Sequence, residues 1–216
     1  MVAGGDTQRG TINKADAASP TASLESVLLT LTINTKEGRD VDTVDIPNVF
    51  ITTCIKNEED KVIMRLRRRL AELMAATAPE MYKQCVTIDC KVNKALYVCT
   101  LNAIYGIMKA ALLFYLKFVE SLTSIGFVLN PYDSCVANKI VNRRQLTVVW
   151  HIDDLKISHQ NENVVMRMIT WLRKTYKVLF DDGTGAMTVH RGKIHGYLGI
   201  SLDFTTAGQV QVTMFN

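Results

Sequence analysis

The sequence lacks several features that would narrow its class at once. Its five cysteines, Cys54, Cys85, Cys90, Cys99 and Cys135, are odd in number and include no CxxC pair. That pattern suits neither a disulfide framework nor a zinc site. Free cysteine is among the most buried side chains, so these five are expected as reduced core residues. Histidine is scarce too, and His190 and His195, five apart, miss the i, i+4 spacing that sets two metal ligands on one helix face. No apolar run is long enough to span a bilayer. The longest, from Ile104 to Val119, is broken by Gly106, Lys109 and Lys117 and falls short of the ~20 residues required, so it reads as a buried helix and no membrane partner is expected. The amino terminus has no basic stretch leading into an apolar one, which leaves an intracellular location as the expectation. Nor is there an internal repeat. Charge is nearly balanced: 25 Lys and Arg against 21 Asp and Glu give a net +4, which permits a polyanionic partner without requiring one.

What remains is globular material. Of 216 residues, 48% are hydrophobic and 21% charged, enough to bury a core. The first twenty residues, rich in Gly, Thr, Asp and Ala, read as a loosely held segment. From Thr21, Leu24, Val27, Leu28 and Leu31 recur at helical spacing, with Ser23 as cap and Gly38 as stop. "RDVDTVDIPNVFI" reads as a strand closed by Pro47, which cannot donate to a ladder. "VIMRLRRRLAELMAA" reads as one helix, apolar at Ile63, Leu66, Leu70, Leu73 and Met74, with Arg65, Arg67, Arg68 and Arg69 on a basic face that suits phosphates or, more commonly for such a run, plain solvation. "VTIDCKVNKALYVCTL" reads as a hairpin, and a long apolar helix is expected from Ala103 to Ser124, ending at Gly126. Three short strands then follow in series, turning at "NRRQ" and "IDDL". Asn161 is placed to cap a helix with a stripe of Val164, Val165, Met168, Ile169, Leu172 and Tyr176. "DDGTG" is a turn cluster before the last strands. Helices and antiparallel hairpins in irregular order predict an α+β fold, an antiparallel sheet backed by helices on one face.

The sharpest feature is "LTVVWHIDDLKISH", where Asp153 and Asp154 interrupt an apolar run. A turn explains such a pair plainly, since Asp accepts turn geometry. The flanks argue for more: Val148, Trp150 and Ile152 alternate on one side and Leu155 and Ile157 on the other, setting a turn at Asp153 and Asp154 on the end of a packed sheet. Successive strand residues face opposite sides, so a second carboxylate for a shared site must come from another strand. Asp45, which ends its own apolar strand just before Pro47, is the candidate. Carboxylates brought together repel and raise one another's pKa unless a cation neutralises them. Magnesium fits hard oxygen ligands, water and phosphates, and two such ions form the clamp of in-line phosphoryl transfer.

Four blocks in order, "DIPNVF", "IYGIMKAALLFYLKFVESLTSIGFVLNPYDSCVANK", "VVWHIDDLKISH" and "GKIHGYLGISLDF", resemble the reverse transcriptase domain of copia-type retrotransposons over nearly the whole chain. The resemblance implies an RNA-directed DNA polymerase with a reverse-transcriptase palm, an antiparallel sheet backed by helices, and partial fingers. By the same resemblance one domain fragment covers residues 1–216, with fingers at 1–40 and about 51–100 and palm at about 41–50 and 101–205; a thumb and a ribonuclease H domain are expected to be absent. It further implies catalytic carboxylates at Asp45, Asp153 and Asp154, with Asp45 and Asp153 binding the metals, Asp154 supporting them and the Ile46 carbonyl as a further ligand. Two magnesium ions, or manganese in their place, would be the cofactors. Phe50 matches the aromatic gate that favours deoxynucleotides, and Lys109 falls in the nucleotide site. Tyr105 and Gly106, in a helix taken to run to Tyr115, would lie under the template, with His151 and Ile152 near the primer end. The implied partners are an RNA or DNA template, a DNA or RNA primer and deoxynucleoside triphosphates, in cytoplasm, virus-like particle or nucleus.

Departures from the family stand beside these matches. Lys109 replaces a Gln that steadies the nucleotide, and Val49 replaces a smaller Ala. "VAGGDTQRG" resembles the tail of a segment whose basic residues grip the triphosphate, so part of the fingers is expected to be missing. These departures define a second reading, a catalytically impaired retroelement remnant that keeps the palm fold, with or without nucleic-acid binding. A two-metal nuclease or phosphatase is disfavoured, because no His-rich cluster or additional general base is present.

Overall fold

The computed structural model describes residues 13–88, 91–177 and 186–214. Of the loosely held amino-terminal segment, the described part forms a single turn, α1 (Lys14–Ala17), while residues 1–12 lie outside the described residues. Helix α2 (Leu24–Lys36) forms as its spacing predicts: the Ser23 side chain accepts the N–H of Ser26, and Gly38 ends the helix at φ +61°. Strand β1 (Asp40–Asp45) follows, and a short 3-10 turn (Val49–Thr52) comes after Pro47.

The next expectation fails. Instead of one helix over "VIMRLRRRLAELMAA", the chain forms strand β2 (Ile63–Arg67) and then helix α3 (Arg69–Thr77), broken at Arg68, whose φ is +49°. Tertiary pairing overrides the helical spacing: β2 bonds along its whole length to β4 (Lys94–Cys99), with Leu66 opposite Leu96. After the turn α4 (Pro79–Tyr82), strand β3 (Val86–Ile88) completes the expected hairpin with β4. This three-stranded sheet, with β4 central, packs Leu66 and Leu96 against Ala71 of α3.

Helix α5 (Ala110–Ser124) starts seven residues later than its composition suggested. Gly106 adopts φ +94°, and Ala103 bonds back to the Thr53 carbonyl, so 103–109 is a loop in which Ala103 and Ile107 are buried without being helical. Strands β5 (Val128–Leu129), β6 (Val136–Val141), β7 (Arg144–His151) and β8 (Asp154–His159) form a meander. The β6–β7 turn places Asn142 and Arg143 at φ +51° and +61°, the left-handed pair that a two-residue hairpin prefers. Arg143 is exposed, so Arg143→Gly is expected to raise stability by ~1 kcal/mol, read as a shift in the denaturant midpoint at unchanged slope. The β7–β8 turn consists of Ile152 and Asp153, one residue earlier than the sequence reading placed it. Helix α6 (Glu162–Thr175) is capped by Asn161 and buries the expected stripe, Tyr176 included. "DDGTG" lies outside the described residues. Strands β9 (Thr188–His190), β10 (Ile194–Tyr197), β11 (Ile200–Asp203) and β12 (Gln211–Met214) close the chain.

The main sheet runs β5-β6-β7-β8-β1-β9, antiparallel at every pairing. On one face Val148, Trp150, Leu155 and Ile157 pack with Phe114, Phe118 and Leu122 of α5 and Val165 and Ile169 of α6. The opposite face is covered too, a correction to the one-sided sheet expected. Val136 and Val149 meet Val27 and Leu31 of α2 and Tyr197 and Leu202 of a second small sheet, β10-β11-β12. The cysteine expectation also needs correcting. Cys135 is buried, but Cys54, Cys85 and Cys99 are exposed and free, because they sit on loops or on a sheet face open to water; Cys90 lies outside the described residues.

Candidate active site

Register brings the acidic residues together. Asp45, the last residue of β1, stands directly opposite Asp154, the first of β8. Opposed positions in an antiparallel pair put Cβ atoms ~4.5–5.5 Å apart, where like charges destabilise the sheet. Asp153 sits in the adjoining turn, and its carbonyl accepts the Ile46 N–H at 3.2 Å, which ties the hairpin tip to the end of β1. Because Asp153 is in the turn, the strand alternation that seemed to separate the two aspartates begins only at Asp154.

Electrostatics bear out the crowding. Burial raises Asp45 above the ordinary carboxylate range and the charge of Asp153 raises it further, with His190 offsetting part. Burial likewise raises Asp154, with Asp153 and Asp45 adding to it and His151, opposite it in register, lowering it. His190 was not singled out for this role from the sequence. It comes from β9, which reaches β1 only through tertiary pairing, so no local signal marks it.

Tyr105 was expected in a helix under the template. It lies instead in the loop before α5, beside the carboxylates, and its hydroxyl donates to Asp153 Oδ2 at 3.4 Å, a long contact. Burial and the Asp153 charge push its pKa up to about 12. Its ring packs 4.5 Å from that of Phe50, which is buried and also meets Phe114. Val49 is fully buried beside Phe50, and Gly106 supplies the positive φ that turns the loop. Ile46 is buried in the same core.

Ile152 holds φ +58°, a left-handed conformation that costs a β-branched residue ~1–3 kcal/mol. Strain of this kind at the tip bearing Asp153 marks a place where geometry outranks local stability. Lys109, expected in the nucleotide site, lies at the start of α5 as the residue before Ala110. Its ammonium bonds Asp60 at 2.7 Å, a contact that raises its pKa above the usual lysine value. A cavity of about 450 Å³ opens between the segment Thr52–Asp60 and α5, but none of the three carboxylates lines it.

Among the described residues, no group of three or more His, Cys, Asp and Glu is arranged as a metal cage. The donor set is nonetheless of the kind magnesium takes, since that ion keeps several waters and binds through one or two carboxylates plus substrate phosphates. Asp45 and Asp153, with Asp154 adjoining, are the residues that would hold it. No helix among the described residues is long and apolar enough to cross a membrane.

No protein-family model matches the chain. No curated protein matches it either. Among solved structures, it is similar to apo telomerase from Candida tropicalis at 8% identity and a TM-score of 0.49, over 97% of this chain and 39% of that one. It is also similar to Candida tropicalis telomerase in complex with a fragment of telomeric RNA (9% identity, TM-score 0.44, 96% and 35% covered). The corresponding Candida albicans complex gives 10% identity, a TM-score of 0.39, and coverage of 97% and 37%. In each case the chain spans less than two fifths of the length of the chain it matches.

Proposed function

We propose that the chain is the palm, with part of the fingers, of a copia-type reverse transcriptase, transferring deoxynucleotides to a primer 3′-hydroxyl on an RNA or DNA template. One observation carries this reading: Asp45, Asp153 and Asp154, from two strands and a turn, form a cluster of mutually repelling carboxylates at one end of an antiparallel sheet. Such repulsion is tolerated where a bound cation is to neutralise it. When bound, magnesium supplies activation of the attacking oxygen and stabilisation of the leaving one. The chain's own part is positional. The β1–β8 ladder fixes Asp45 and Asp154, the Ile46 N–H anchors the turn, and the hydroxyl of Tyr105, whose ring packs on Phe50, orients the Asp153 carboxylate.

The test is primer extension by the purified chain on RNA and DNA templates, with magnesium, with manganese and with chelator. The expected result is template-directed incorporation that chelator abolishes. The Lys109–Asp60 ion pair favours the second reading, an impaired remnant, because it turns the charge nearest the expected nucleotide position onto the chain itself. That reading predicts divalent-ion binding at the carboxylates without incorporation.

A further inference from the structure

Helix α5 carries a lysine that the acidic site does not use. Lys117, midway along α5, is half-buried in the wall of the cavity of about 450 Å³ between that helix and the segment Thr52–Asp60. Its ammonium donates to the Thr52 carbonyl and lies over the Tyr176 ring, 5.4 Å from the centroid. Among the described residues no carboxylate pairs with it: Asp60, on the same wall, is taken by Lys109, and Glu120 is exposed. Burial lowers the Lys117 pKa below the usual lysine value, with Cys54 offsetting part of the effect. The rest of the lining suits a small ligand. Leu113 and Leu116 give the cavity an apolar side. Thr53, next to the residue whose carbonyl Lys117 bonds, is buried and lines the cavity, and its hydroxyl has no hydrogen-bond partner among the described residues. A buried hydroxyl left unpaired is costly, and an incoming acceptor would satisfy it. With Asp60 already paired, exposed Lys56 and Glu120 balance one another at the rim, so the cavity selects for an apolar body rather than for net charge.

We infer that this cavity is a covalent carbonyl site, in which Lys117 takes a small apolar aldehyde as a Schiff base and the Thr53 hydroxyl donates to the carbonyl oxygen. The lone pair of the neutral amine attacks the carbonyl carbon, and the C–N bond forms as the carbonyl π pair moves to oxygen. Transfer of one nitrogen proton to that oxygen gives a carbinolamine. Loss of its hydroxyl with the second nitrogen proton releases one water and leaves the C=N bond, so no oxidant or reductant is consumed. Desolvation makes a lysine competent for this step near neutral pH, because a solvated ammonium has no lone pair to offer. Lys117 is desolvated without an acid to hold its proton, which separates it from the exposed lysines of the chain. The inference is independent of the polymerase reading, since Asp45, Asp153 and Asp154 do not line the cavity.

The experiment incubates the full chain at pH 7 with benzaldehyde and sodium cyanoborohydride, which reduces the imine to a stable amine, and quantifies each labelled lysine by peptide mass spectrometry. Lys117 is expected to be labelled roughly ten-fold faster than the exposed Lys36 and Lys174, at a rate that saturates as benzaldehyde rises. Leu116→Trp crowds the cavity from a position that is 54% exposed, so the fold does not depend on it, and should bring Lys117 down to the rate of the exposed lysines. Thr53→Val removes the donor to the carbonyl oxygen and should slow Lys117 several-fold while leaving Lys36 and Lys174 unchanged. Labelling of Lys117 no faster than that of Lys36, a rate that stays linear in benzaldehyde, or an unchanged rate in folded Leu116→Trp would overturn the inference. If Thr53→Val fails to fold, saturation in the wild type and the Leu116→Trp rate decide.

Discussion

Asp153→Asn reduces nucleotide incorporation by about 10³-fold or more, and Asp45→Asn does the same, while neither variant loses stability in metal-free buffer. The first half follows from charge. An amide cannot replace a carboxylate in neutralising a divalent ion, and losing ~4 kcal/mol of transition-state stabilisation is about three decades of rate. The second half follows from the repulsion among Asp45, Asp153 and Asp154. Neutralising one member relieves the others, so the apo variants are expected to match the wild type or exceed it by ~0.5 kcal/mol. A residue that merely packed would show the opposite pattern, loss of stability together with activity. Metal uptake adds a pH signature. The ligands must be deprotonated, and Asp45 and Asp154 hold their protons to higher pH than ordinary carboxylates. Calorimetric manganese affinity should therefore keep rising with pH beyond the usual carboxylate range, and Asp45→Asn should flatten that rise. Full incorporation by Asp153→Asn would remove the two-metal reading.

Lys156→Met stabilises the fold by ~1–4 kcal/mol at pH 7, by chemical denaturation. Lys156 lies on β8 two residues from Asp154, is wholly buried, and bonds Thr30 of α2 at 3.0 Å. Burial, with the Arg39 charge nearby, lowers its pKa from 10.5 to about 7. Between those values the unfolded chain holds a proton that the folded chain has released, so stability rises as pH rises from about 7 toward 10.5. Below pH 7 both states are protonated and the full cost of burying the ammonium is present. At ~1.36 kcal/mol per pKa unit, that difference is of order 5 kcal/mol. Methionine removes both the charge and this slope. Thr30 is not orphaned by the change, because its hydroxyl also donates to the Val27 carbonyl at 2.8 Å. A wild-type stability flat between pH 7 and 10, or a variant less stable than wild type at pH 7, would contradict the burial of a lone ammonium.

The two strands that meet at the site were legible for different reasons. β1 and the β7–β8 hairpin announce themselves through β-branched runs ending in polar residues, and Ser23 and Asn161 mark their helices through side-chain caps. The segment "VIMRLRRRLAELMAA" was not legible, because Ile63 and Leu66 fit a helix as well as a strand and only pairing with β4 decides between them. Its arginines changed meaning with that decision. Arg65 and Arg67 stand on strand β2, with Arg65 over the Tyr97 ring, while Arg68 breaks the segment and Arg69 opens α3. The long helix was overextended for a related reason, since Ala103 and Ile107 are buried in a loop that composition cannot tell from a helix.

The sequence by itself determined the elements whose signals are local: caps, turns, alternating strands, and the identity of Asp45, Asp153 and Asp154 as acids in apolar surroundings. Only the tertiary structure decided which acids face one another, that Asp153 occupies the turn, that Tyr105 reaches it, that His190, opposite Thr43, acts on Asp45, and that the sheet is covered on both faces. The physical reason is range. Caps and periodicities act within a few residues, whereas register, burial and charge coupling arise between segments that sequence spacing does not relate.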